Sequence, residues 1–102
     1  MSIDVLHSKQ VIESFKHKGL RSLFEEDDRR KIKADHVDRL RLILSALDQA
    51  TDVQDMNQPT FHLHPLKGNR EGVWAVTVRA NWRVTFRFKD GDVYDVDLED
   101  YH

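Results

Sequence analysis

HPLKGNREGVWAVTVRANWRVTFR, residues 64 to 87, decides how the chain folds, because it carries two strand patterns, two turns and a row of positive charges. From Val73 to Phe88 apolar and polar side chains alternate. Trp74, Val76, Val78, Trp82, Val84, Phe86 and Phe88 fall on one face, and Thr77, Arg79, Arg83, Thr85 and Arg87 on the other. That period describes a half-buried antiparallel hairpin with a basic outer face. Matching the apolar faces sets Val78 against Trp82, Val76 against Val84 and Trp74 against Phe86. A three-residue loop of Arg79, Ala80 and Asn81 remains, in which Asn81 takes the left-handed position.

Working outward, the same test on the final hairpin pairs Phe88 with Tyr94, Phe86 with Val96 and Val84 with Leu98 around AspGlyAsp at 90–92. On the outer face this register puts Arg87 opposite Asp95 and Arg83 opposite Glu99. Exposed cross-strand ion pairs are common and add little stability, so the pairing by itself asks for no function. Upstream, Phe61, Leu63 and Leu66 flank His62 and His64 in a short edge or irregular strand interrupted by Pro65, and residues 67–72 form a turn. Before that, Thr51 to Pro59 reads as a loop with a short turn of helix around Val53 to Met56.

The N-terminal half reads as helical. Val37, Leu40, Ile43, Leu44, Leu47 and Ala50 draw one apolar stripe behind Asp35, an expected N-cap with Asp38 completing an approximate capping box. Asp38, Arg39, Arg41, Asp48 and Gln49 on the other side read as a solvent face. Leu20, Leu23 and Phe24 recur at helical spacing after a short extended segment at Val11, Ile12 and Phe15. The run EEDDRRKIK reads as a solvated helix end and loop, with an RNA-contacting loop from Arg29 to Lys33 as the sharper reading. Residues 1–10 lack a pattern and are expected to be a flexible or loosely attached arm. Residues 11–102 are expected to form one α+β domain, two helices on a small, mainly antiparallel sheet.

A chain of 102 residues has room for one modest core. It has no cysteine, which excludes disulfides and thiolate metal sites, and no run of the roughly 20 apolar residues that a membrane helix needs. A reducing, cytoplasmic setting without membrane contact is expected. The formal net charge of −2 hides a segregation. Between His62 and Lys89 six basic residues stand against the single acid Glu71, whereas Asp90 to His102 carries six acids and no Lys or Arg. A basic strip beside an acidic strand can steer a polyanion into a defined groove.

No Walker loop, nucleophile elbow, dinucleotide fingerprint or HExxH helix occurs, so no cofactor is expected. His62 and His64, at i and i+2 on one strand face, could make a metal site with His102, but Pro65 and the loop leave its geometry unsupported. Lys67, Arg79, Arg83, His64, Asp100, Tyr101 and His102 on one sheet face instead fit metal-free RNA cleavage. That reaction needs a base for the 2′-hydroxyl, cations at the phosphorus oxygens and an acid for the departing 5′-oxygen. Spacing alone still favours Tyr101 and His102 as frayed terminal residues.

SFKHKGL at 14–20, LHPLKGNREGVW at 63–74, RANWRVTF at 79–86 and EDYH at 99–102 occur in the order in which HigB toxins of the RelE superfamily carry similar motifs. The chain resembles that family from about Val11 to His102. The resemblance implies a RelE-like α/β fold and a ribosome-dependent mRNA endonuclease that inhibits translation. The implied partners are a HigA-type helix-turn-helix antitoxin and mRNA on the ribosome, with operator DNA bound only through the antitoxin complex. It further implies that Lys67 and Arg83 bind phosphate and stabilise the transition state, that His102 is the general acid or base, and that Asp100 and Tyr101 support it. His64, Arg70 and Arg79 become candidate RNA contacts. The first ten residues lie outside the resemblance. A non-catalytic protein that binds RNA or ribosomes through the same basic face is the competing expectation.

Overall fold

The structure is a computed structural model and describes residues 11–101. Helix α1 (Lys18–Glu26) and helix α2 (Val37–Gln49) precede a four-stranded antiparallel sheet of β1 (His64–Pro65), β2 (Val73–Arg79), β3 (Trp82–Lys89) and β4 (Asp92–Asp100), in the order β1-β2-β3-β4. The expected arm at residues 1–10 lies outside the described residues. The segment at 11–15 extends the sheet beyond β4 through parallel bridges at Ile12–Val93 and Phe15–Val96. Short 3-10 turns occupy Ala34–His36, Val53–Met56 and Gly68–Arg70.

The α2 stripe is buried as its spacing requires: Val37, Leu40, Ile43, Leu44, Leu47 and Ala50 are each at most 2% exposed. They pack with Leu20, Leu23, Met56, Phe61, Val76, Val84, Phe86, Val93 and Val96 into one core between the helices and the inner face of the sheet. Asp35 is not the N-cap of α2. It sits inside the 3-10 turn, and the cap position falls to His36, whose side chain makes no capping hydrogen bond. Nor is Arg39 a solvent-face residue. Its guanidinium donates to the Thr60 hydroxyl and to the carbonyls of Thr60 and Thr77, tying α2 to β2.

Both hairpins depart from unbroken alternation by one bulge. In the first, Trp74–Phe86 and Val76–Val84 pair as expected, but the register shifts between Thr77 and Arg79, so Arg79 rather than Val78 opposes Trp82. The loop is a two-residue turn, and Ala80 rather than Asn81 has the positive φ, 51°. In the second, Arg83–Glu99 and Val84–Leu98 hold, while Phe88 pairs with Val93 instead of Tyr94. Asp90 and Gly91, at φ 53° and 86°, make the two-residue turn that matches strand twist. The extra β4 residue is accommodated near Asp95, which has left-handed backbone at φ 56°. Val93 and Val96, three residues apart, can thereby both be fully buried.

Candidate active site

On the outer face the register lays the side chains out in rows. Thr77, Arg83 and Glu99 form one, and His64, Ala75, Thr85 and Asp97 the next. Because directly opposed residues of an antiparallel ladder share a face, these rows face outward while Val76, Val84 and Phe86 face the core.

Arg83 is the best-held cation of this face. Its side chain is only 14% exposed. Nε and Nη2 donate to Glu99 Oε1 at 3.2 and 3.1 Å. Arg70, in the turn before β2, reaches across the sheet and grips the same carboxylate, with Nη1 donating to Oε1 at 3.1 Å and Nη2 to Oε2. The Arg70 hydrogen bonds, then those of Arg83, hold the Glu99 carboxyl below its ordinary range against the opposing effect of burial. The bond to Glu99 correspondingly raises the Arg70 guanidinium. Two guanidiniums around one carboxylate leave a positive charge at a fixed place on the surface.

Tyr101 completes the group. The Arg83 guanidinium carbon lies 4.2 Å from the centre of its ring, in cation–π range. The Tyr101 amide donates to the Asn81 carbonyl at 3.0 Å, so Tyr101 is tied to the β2–β3 turn and is not frayed. Its side chain remains exposed, at 43%. Asp100 is exposed at the end of β4, opposite Trp82. His102 lies outside the described residues.

His64 stands on β1, opposite Ala75, with Nδ1 2.8 Å from the carbonyl oxygen of His62. A carbonyl only accepts, so Nδ1 carries the proton and the neutral ring keeps its free lone pair on Nε2. His62 does not share a strand face with it. It lies outside β1 and has left-handed backbone at φ 52°. Lys67 is exposed at the start of the 68–70 turn, beside a shallow cavity bounded by Leu66 and Trp74. Among the described residues it forms no ion pair or side-chain hydrogen bond with the Arg83 group.

Arg79 falls elsewhere. The bulge puts it on Trp82's side of the ladder, where its charge helps to lower the pKa of His36. The structure therefore brings together Arg70, Arg83 and Tyr101, sets His64 on the same face two strands away, leaves Lys67 on the rim and removes Arg79. Glu99, the hub, was read from sequence only as an ion-pair partner. Its place opposite Arg83 was the available signal.

A sequence profile of the family described as "RelE-like toxin of type II toxin-antitoxin system HigB" matches residues 13–102. The chain is 52% identical, over 92 residues, to an endoribonuclease HigB of Proteus vulgaris, and the aligned part is 90% of this chain and 100% of that protein. Among solved structures, the YoeB dimer from Staphylococcus aureus superposes with a TM-score of 0.58 at 14% identity, covering 92% of this chain and 98% of that one. That last likeness speaks for the fold alone.

Proposed function

This chain belongs to the HigB-like family of RelE-like toxins of type II toxin-antitoxin systems, and we propose that it is a ribosome-dependent mRNA endonuclease that inhibits translation. The observation that carries this reading is Arg83. It is mostly buried on the outer face, gripped by Glu99 and stacked on Tyr101. A cation held before substrate arrives can stabilise the charge that develops on a phosphorane without reorganising.

In this reading a base takes the proton of a ribose 2′-hydroxyl and the oxygen attacks the adjacent phosphorus. The bond to the 5′-oxygen breaks, an acid protonates that oxygen, and the products are a 2′,3′-cyclic phosphate and a free 5′-hydroxyl. His64, with its lone pair on Nε2, suits the base. β1 and β3 are two strand spacings, about 10 Å, apart, which leaves space for a ribose and its phosphate between His64 and Arg83. His102 is the candidate acid and Asp100 its orienting partner. Lys67 adds a second cation from the rim, and the exposed side of the Tyr101 ring offers a stacking surface for a base. The cationic groups supply the charge stabilisation, so the reaction as written calls for no metal. The proposed partners are a HigA-type antitoxin, mRNA in the cytoplasm on the ribosome, and operator DNA only through the antitoxin complex.

Mapping RNA 5′ ends on programmed ribosomes after brief exposure to the protein tests the proposal. New in-frame ends bearing 5′-hydroxyls are expected. Arrested ribosomes with intact mRNA would instead identify a non-catalytic binder.

A further inference from the structure

Beside the Arg70–Glu99–Arg83 group the outer face holds a cavity of about 230 Å3 that the reaction above does not use. Lys16, Asn69, Arg70, Thr85, Arg87 and Asp95 line it. We propose that this cavity is a second phosphate subsite, which takes a phosphodiester flanking the one cleaved on the same RNA strand; the inference rests on the nuclease reading.

Three features build the site. The residues that line it come from five separate parts of the chain: the segment after the Ile12 and Phe15 bridges, the turn before β2, Val73 at the start of β2, β3 and the β4 bulge. Three of them are cationic and one is acidic. Among the described residues Lys16 forms no ion pair. Arg87 meets Asp95 only loosely, at 3.6 Å with both side chains 48% exposed. Such an exposed pair is weak, and a phosphate carrying a full charge can displace it.

Two backbone features flank Arg87: Gly72, which does not itself line the cavity, and the β4 bulge at Asp95, which does. Gly72 has φ 97°, and a β-carbon at that position would lie 3.1 Å from Arg87 Nη1, so a side chain would crowd the guanidinium. Asp95 sits in its left-handed bulge with its amide donating to the Ser14 hydroxyl at 2.9 Å. A non-glycine residue in that conformation costs free energy, and here it brings the carboxylate beside Arg87.

The chemistry of the lining selects the ligand. Among the described residues the only aromatic one on the cavity wall is Phe86, whose side chain is fully buried in the core and does not offer a ring to stack a base. The volume lies below the roughly 300 to 1,000 Å3 of sites that take drug-sized molecules. Cations, an amide and a hydroxyl match a phosphodiester with its sugar. Arg70 belongs both to this cavity and to the Glu99 group, so the two phosphates would be neighbours along one strand.

The test uses the full chain and a short single-stranded RNA with 2′-O-methyl riboses, which binds but cannot be cut. Replacing both cations, Lys16→Gln with Arg87→Gln, should weaken binding on the order of tenfold. It should also flatten the slope of log affinity against log salt by about 0.7, the loss of one single-strand phosphate contact. A neutral methylphosphonate introduced at each position in turn should weaken the wild-type protein most at one flanking position. At that position it should cost the double variant nothing further. Inorganic phosphate at equal concentration should compete poorly if the site reads the strand, whereas strong competition would show a free-anion site and overturn the proposal. An unchanged salt slope, or equal losses at every methylphosphonate position in both proteins, would also overturn it. Wild-type cleavage on programmed ribosomes, run alongside, separates this outcome from failure of the nuclease reading. Lys16→Glu alone, an exposed change that breaks no ion pair among the described residues, gives an independent weakening if the double variant folds poorly.

Discussion

Arg83 and Trp82 are neighbours on β3, and each anchors a cluster of two cations and an aromatic ring, on opposite faces of the sheet. On the outer face Arg83 and Arg70 share Glu99, and Arg83 stacks on Tyr101. On the inner face Lys33 lies 5.5 Å from the Trp82 ring, Arg79 opposes Trp82, and the third member is not a carboxylate but His36, 4% exposed and edge-on to the indole. Glu99 stays ionised and holds its cations at the surface. His36 is pushed below its ordinary pKa, first by burial and then by Lys33, and stays neutral at the border of the core. The same ingredients yield a charged group on the outer face and an uncharged packing element on the inner one. Burial of His36 on one side and the paired Glu99 carboxylate on the other make the difference.

The largest break of this contrast removes the outer cation. Arg83→Ala should lower cleavage by 10²- to 10³-fold, the loss of one preorganised donor on the transition state. Arg70 would still compensate Glu99, so stability should fall by only about 1 kcal/mol, a shift of roughly 4–8 °C in a domain near this size. Cleavage within threefold of wild type would remove Arg83 from the reaction.

Glu99→Ala tests whether the carboxylate positions the arginines or merely neutralises them. Released guanidiniums should wander, and misplacement of that kind costs up to about 10²-fold in rate. Affinity for uncleavable RNA should be retained or rise, because a negative charge has left the face. Glu99→Gln keeps an oxygen acceptor and should recover part of the rate. If RNA affinity and rate rise together in both variants, Glu99 is only a brake. A smaller loss, about tenfold, is expected for Lys67→Ala, since among the described residues this exposed side chain has no partner to preorganise it, and Lys67→Arg should restore most of it. A loss as large as that of Arg83→Ala would show that the rim cation carries equal weight.

How far the sequence reaches can be judged at these two clusters. The apolar stripe of α2 and the pairs Trp74–Phe86, Val76–Val84 and Arg83–Glu99 follow from periodicity, because burying one face leaves little choice of register. The bulges do not. Adding Val78 to β2 costs little locally, and Asp tolerates the left-handed conformation that Asp95 adopts, so neither position announces itself. Yet the first bulge transfers Arg79 from the outer cluster to the inner one, and the second builds a cavity wall at Asp95. The sharing of Glu99 by Arg70 and Arg83 was equally hidden, since it joins a turn to two strands. Val93 and Val96, three residues apart, were the visible hint that β4 could not alternate throughout.

The smallest expected effect separates the clusters by pH. His36 has a folded pKa below its ordinary 6.5, so the unfolded chain binds a proton that the native state refuses. Stability from this group is therefore fully present above pH 6.5 and is lost as the pH falls below it toward the folded value. Glu99 has a folded pKa below its ordinary 4.5, and its contribution is present above pH 4.5 and lost only under more acid conditions. Thermal midpoints of the wild type should thus decline in two separate windows. His36→Phe keeps a ring against Trp82 without a titrating nitrogen, and it should flatten the upper window by a few degrees while leaving the lower one. Glu99→Gln should do the reverse. If His36→Phe leaves the decline below pH 6.5 unchanged, the inner cluster does not hold a neutral histidine, and the contrast between the two faces of β3 fails at its weaker side.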